Sequence, residues 1–331
     1  MKHPIITSLG LAVLAGISFV TPALAKPDTT TIDTFGTGGN AFTMNFVDII
    51  GNPVANASDG TGYGGVVNTF RMSTYEVSVD MVSKANTAGG IGITYTDRTA
   101  NKPATSVSWN EAARFVNWLN VSSGSVPAYR FTTSGVNDNI VLWDLASAGS
   151  GYKEANAFRN SNAKYFLPSE NEWYKAAYYD PNKTGGAGYW DYATGSDSVP
   201  TAVASGTASG TAVYNGQSSP ADITSAGGLS TYGTMGQGGN VWEWMETNYS
   251  GTNDMSGSSR GLRGGSWDVN DYFLASSNRD YSGPSFENYI LVGVRVASSE
   301  LAAVPEPASL LSTLALVSSG LLLRRRGKVS L

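Results

Sequence analysis

The sequence predicts one α+β domain, rich in ordered loop, and three observations carry that prediction. Glycine fills 39 of the 331 positions, well above the ~7% of an average chain. Aromatic residues are abundant, with 8 Trp and 17 Tyr, as expected where large side chains pin irregular loops. Regular elements are short and few, two or three helices among short strands, and no repeat of solenoid period is present.

Two helices have clear starts. At Ser108-Trp109-Asn110-Glu111 the Ser-x-x-Glu spacing lets Ser108 and Glu111 satisfy each other's free backbone N–H groups. Ala112, Phe115, Val116 and Leu119 follow at helical spacing and form one apolar face. The same box recurs at Ser169-Glu170-Asn171-Glu172, with Trp173, Ala176 and Ala177 as the buried stripe and Asp180-Pro181 as the stop. A shorter helix is expected after Tyr75-Glu76-Val77-Ser78. Strands are expected at Thr69–Met72 with Tyr75–Val77, at Leu262–Trp267 and at Leu291–Ala297. From Gly185 to Gly239 the composition reads as loop. Tyr189, Trp190, Tyr192, Tyr214 and Tyr232 recur through it, so it is expected to pack on the same core rather than link two domains.

Both ends read as sorting signals. Residues 1–25 have a basic Lys2 and His3, an apolar run from Ile5 to Val20, and a small-x-small ending at Ala23-Leu24-Ala25, which predicts a signal peptide cleaved after Ala25. The apolar run is shorter than the ~20 residues of a membrane-spanning helix. At the other end Pro305-Glu306-Pro307 precedes an apolar run, Ala308 to Leu323, and then Arg324-Arg325-Arg326. Residues 304–331 resemble the PEP-CTERM sorting tail of exopolysaccharide-producing Gram-negative bacteria. That resemblance implies transient inner-membrane anchoring through residues 308–323 and recognition by an exosortase near the motif. The expectation is a protein exported across the inner membrane to the cell surface or extracellular matrix, with residues 26–303 as the folded domain.

Removing both ends sharpens the charge. The whole chain has 21 Lys+Arg and 26 Asp+Glu. Without Lys2, Arg324, Arg325, Arg326, Lys328 and Glu306, 16 basic and 25 acidic residues remain, a net charge near −9. Such a surface repels phosphate backbones, so nucleic acid is not an expected partner. The chain has no cysteine, and its one histidine is His3 in the signal peptide. Thiol nucleophiles, Ser-His-Asp triads and His-based zinc sites are thereby excluded from the folded domain.

Five segments follow one another in a telling order: Thr105–Ala112, Tyr165–Ala177, Gly238-Gly239-Asn240-Val241-Trp242-Glu243-Trp244, Arg263-Gly264-Gly265-Ser266-Trp267, and Arg279 with Gly293-Val294-Arg295. In this order and spacing, from about Phe42 to Ala297, they resemble the formylglycine-generating enzymes, or sulfatase-modifying factors. The resemblance implies a glycine-rich C-type-lectin-like fold. The family's oxidative chemistry uses copper held by two cysteines, or in ergothioneine-type relatives iron held by three histidines. The cysteine positions match Asp271 and Ser276 here, neither of which offers the soft thiolate that Cu(I) prefers. Copper, iron and zinc are therefore not expected, and no residue is assigned a catalytic role. Glu170/Glu172 and Asp268/Asp271 are carboxylate pairs, but sequence spacing does not place them across a substrate.

The same resemblance implies calcium ligands in the Gly-Asn-Val-Trp-Glu-Trp segment, namely Asn240, the Val241 carbonyl and Glu243, which are hard oxygen donors. The alternative reading has Asn240 and Glu243 satisfying loop amides between buried tryptophans. Trp267, Asp271, Ser276 and Arg279 are expected along a ligand groove, while Arg263, Arg279 and Arg295 pair with acids or carbonyls. The expected function is that of an exported, non-catalytic binding protein directed at exopolysaccharide or another surface glycan. A divergent enzyme with a mechanism free of Cys and His is the alternative.

Overall fold

The computed structural model describes residues 30–287 and 289–299. Ala25, Pro305, Glu306, Pro307 and the apolar run 308–323 lie outside the described residues. Within them, no helix is long and apolar enough to cross a membrane.

The chain forms β1 (Thr30–Phe35), β2 (Phe42–Ile49) and β3 (Phe70–Ser73), then helices α1 (Val79–Gly89), α2 (Trp109–Ser122) and the single-turn α3 (Leu145–Ala148). After β4 (Tyr165–Phe166) comes α4 (Glu170–Tyr178), followed by the two-residue strands β5 (Tyr179–Asp180), β6 (Gly188–Tyr189), β7 (Thr201–Ala202) and β8 (Thr211–Ala212). The C-terminal part holds β9 (Trp242–Asn248), β10 (Arg260–Arg263), β11 (Asp280–Ser282), β12 (Val292–Gly293) and β13 (Ala297–Ser298). One sheet has the order β1-β2-β3-β13-β4, all antiparallel, and a second has β11-β10-β9-β12 with β12 parallel to β9. This is the α+β, loop-rich architecture that composition predicts.

Both capping boxes form. Ser108 Oγ accepts from the Glu111 amide at 3.1 Å while the Glu111 carboxylate accepts from the Ser108 amide at 2.8 Å. Ser169 and Glu172 repeat the exchange. The predicted face of α2 (Ala112, Phe115, Val116, Leu119) is buried. Two tryptophans cross-stitch α2 to β9: Trp109 Nε1 donates to the Met245 carbonyl, and Trp244 Nε1 to the Val107 carbonyl, each at 2.9 Å. The third expected helix is α1, with Ser78 as its N-cap and Gly90 closing it in the left-handed region at φ 60°.

The strands are shorter than the sequence suggests. Tyr75–Val77 is not a strand, because the chain bends at Thr74-Tyr75 to reach the N-cap of α1. The Leu262–Trp267 stretch is strand only to Arg263, since Gly264 and Gly265 turn it with φ of 97° and 74°. A Cβ on Gly265 would come within 2.8 Å of Leu274 Cδ1, so only glycine fits this turn. Leu291–Ala297 splits into β12 and β13, and α4 ends at Tyr178 rather than at Asp180. The 185–239 stretch does pack on the core: Tyr189, Tyr214 and Tyr232 are buried.

Candidate functional site

Glu170 opens α4 and is fully buried, with its carboxylate turned toward Arg263 at the end of β10 and Arg279 just before β11. Arg263, the last residue of β10, donates Nε to Glu170 Oε1 at 2.7 Å and Nη1 to the carbonyls of Ser276 and Asn278, each at 2.8 Å. Arg279 donates Nε to Oε1 at 2.8 Å and Nη2 to Oε2 at 2.5 Å. One carboxylate thus holds two guanidiniums, one buried and one 20% exposed. Such forked, charge-assisted contacts fix all three side chains.

Aromatic rings surround this ion cluster. The Arg279 guanidinium lies 3.9 Å from the centre of the Tyr249 ring and 5.1 Å from that of Tyr63. Arg263 lies 5.0 Å from Tyr63 and 4.9 Å from Tyr174. Tyr249 packs against Tyr281 with ring centres 4.4 Å apart, and Tyr281 is 53% exposed. Burial first, and then the Glu170 charge, push the Tyr63 phenol above its ordinary value. Beneath, the Tyr174 hydroxyl donates to Asp59 and accepts from Asn56 Nδ2. Burial acts to raise the Asp59 carboxyl, but hydrogen bonds from Tyr174, Thr61 and Ser276 outweigh it and hold that carboxyl below its usual value. The buried Arg263 Nη2 has no hydrogen-bond partner among the described residues.

Of the four groove residues expected from the sequence, Ser276 and Arg279 meet here and the other two do not. Trp267 is buried in a separate apolar cluster with Val213, Met235 and Val241, and Arg98 lies 5.3 Å from its ring centre. It has no open face on which a sugar ring could stack. Asp271 begins a 3-10 turn, Asp271–Leu274, near Tyr192 and Tyr214. The pair Glu170/Glu172 is divided, because Glu172 caps its own helix and pairs with Arg159 at 3.3 Å. Tyr63, Tyr249 and Tyr281 were not anticipated. The one signal available was Tyr281 following Arg279 at one residue's remove.

The residues expected to bind calcium form a second buried cluster. Glu243 on β9 receives Arg295 Nε at 3.0 Å and Nη2 at 2.8 Å, and Trp173 Nε1 at 2.5 Å. Arg295 also donates to the carbonyls of Ser73, Thr74 and Met235. Asn240, left-handed at φ 60°, accepts from the Ala221 amide at 2.8 Å and donates Nδ2 to both Glu76 oxygens at 2.9 Å. The Asn240 amide oxygen therefore faces a loop amide, while both Glu243 oxygens face the Arg295 guanidinium and the Trp173 indole rather than loop amides. Burial, and next the Glu243 charge, push the Glu76 carboxyl well above the carboxylate range. Among the described residues no three His, Cys, Asp or Glu side chains group as a metal site.

The sulfatase-modifying factor enzyme 1-like domain matches residues 40–300, most of the chain. The chain belongs to that family. Solved structures of sulfatase-modifying-factor-like shape include Treponema denticola variable protein 1, with 20% identity and a TM-score of 0.55 over 82% of this chain and all of that one. CarF gives 20% identity and a TM-score of 0.55 over 78% of this chain and 99% of that one. At these identities the likeness concerns the fold alone. No curated protein matches the sequence. Helices α2 and α4, the Gly-Asn-Val-Trp-Glu-Trp segment leading into β9 and the Arg-Gly-Gly-Ser-Trp turn all lie within this sulfatase-modifying-factor domain.

Proposed function

We propose that the protein is an exported, non-catalytic binding protein built on the sulfatase-modifying-factor scaffold, and that it holds a surface glycan such as exopolysaccharide. The carrying observation is the stack of Arg279, Tyr249 and the exposed Tyr281 over the Glu170 ion cluster. Flat aromatic faces beside fixed guanidinium donors suit an oxygen-rich ring compound, which needs apolar contact on one face and hydrogen bonds at its edge.

Chemistry at this place is disfavoured by the residues present. Copper or iron oxidation of the family's kind needs thiolates or imidazoles, and the folded part of the chain has neither. Carboxylate-only glycoside cleavage needs one neutral acid. Asp59 is held below its ordinary value, and Glu170 is bound to two cations. Neither is arranged to donate a proton.

The ends supply the address: an export signal through Ala25, and a PEP-CTERM tail at Pro305-Glu306-Pro307 read by an exosortase. Calcium is not needed in this reading. A pull-down with the producing organism's own exopolysaccharide tests it. Retention of the chain, lowered by Tyr281→Ser, is expected; no retention contradicts the proposal.

A further inference from the structure

A different surface carries a second inference. The outer side of α2 and the loop after it enclose an open groove of about 640 Å³, within the ~300–1,000 Å³ of ligand sites. Trp118, Phe131 and Trp143 line it, each half-buried. They are fixed rather than loose. Trp118 stacks on Phe42 with ring centres 5.8 Å apart, and Trp143 Nε1 donates to the Ala128 carbonyl at 2.9 Å. The groove's charged lining residues are Arg114 and Arg130, and no carboxylate lines it.

That charge runs against the molecule, whose formal net charge is −5. Arg114 lies 3.9 Å over Phe131 and donates to the backbone carbonyls of Val136 and Thr133; among the described residues it forms no salt bridge, and the Asp138 carboxylate acts on it only from longer range. Arg130 meets Asp144 only at 3.7 Å, and Asp144 is 64% exposed and does not line the groove. A positive, aromatic groove in an acidic protein selects an anion with flat apolar faces.

The geometry points to an acidic saccharide, a chain of uronic-acid rings, as the occupant of this groove. Ring faces pack on Trp118, Phe131 and Trp143, while the carboxylates meet Arg114 and Arg130 as forked ion pairs. A peptide fits less well. One wall is the side of a helix whose backbone donors are already used, and among the described residues no free strand edge lines the groove to pair with an extended chain. This inference concerns a site separate from Arg279 and stands without the reading given above for that site.

The test titrates the full chain with a tetra-uronate and with the same tetrasaccharide after reduction of its carboxylates to alcohols, following tryptophan fluorescence. The acidic saccharide is expected to bind at least about tenfold more tightly, and Arg130→Gln to weaken it about tenfold, as for the loss of one charge-assisted pair. Thr133→Glu, an exposed substitution that puts a negative charge on the lip, is expected to abolish binding with an unchanged thermal melt. Tyr281→Ser is expected to leave it intact. Equal binding of the two saccharides, indifference to Thr133→Glu, or tighter binding of a glutamate-rich peptide would each overturn the assignment. Loss with Tyr281→Ser but not with Thr133→Glu would place the saccharide at the Arg279 site, which overturns this inference and leaves the other reading standing.

Discussion

Glu76 and Glu243 lie in one fully buried cluster in which, among the described residues, the Arg295 guanidinium is the cation bonded to Glu243. Two buried carboxylates beside one cation leave a charge that is poorly compensated, so burial, and next the Glu243 charge, raise the Glu76 carboxyl well above its ordinary value. Because the folded pKa of Glu76 is raised, its contribution is fully present below the unfolded value of 4.5 and is lost as pH rises through the folded value. Glu76→Gln is neutral in both states. Its stability relative to the parent is therefore expected to increase with pH, measured by denaturant unfolding across a pH series. A constant or shrinking difference would contradict a raised Glu76 carboxyl. The same cluster bears on calcium. A cation at Asn240 and Glu243 would have to displace Arg295, so adding calcium to chelator-treated protein is expected to leave the melting temperature unchanged. A rise that grows with calcium concentration would show that the displacement happens.

Helices α2 and α4 were readable because their starts are encoded locally, in four residues each. Ser108→Ala or Ser169→Ala removes an acceptor for a backbone N–H and is expected to cost about 1 kcal/mol in unfolding free energy. A change below about 0.3 kcal/mol at both, in urea melts, would mean the caps are idle. The strands were less readable for a physical reason. Two-residue strands such as β4, β12 and β13 have no periodicity to detect. Ser298 pairs with Arg71 and Tyr165, a match between distant segments that no local pattern encodes. β9 is buried on both faces except at Thr247, so its Trp-Glu-Trp-Met-Glu run shows no alternation. β1 and β2 were missed although β1 alternates in exposure, because its polar Thr30-Thr31-Ile32-Asp33-Thr34 lacks a continuous apolar face.

Across the whole molecule, the family framework was legible in the order of its motifs, and the arginines were correctly read as partners of acids and carbonyls. The candidate site was legible only in part. Arg279 and the buried Ser276 do come together around the Glu170 ion cluster, whereas Tyr63 and Tyr249 come from loops far away in sequence and join it only through folding. Trp267 follows the glycine turn and is drawn into the core, where burying an indole stabilises the fold by up to about 3 kcal/mol. The result is an acidic scaffold with a cluster of tyrosines and arginines around the buried Glu170. In the proposed function this cluster binds a glycan and leaves it unaltered. The most direct measurement is an equilibrium binding isotherm of the full chain with the producer's exopolysaccharide, followed by sizing of the recovered polymer. Saturable binding, weakened at least about tenfold by Tyr281→Ser, with polymer of unchanged length and composition, is the predicted result. Absence of saturable binding, or a shortened or oxidised polymer, would contradict it.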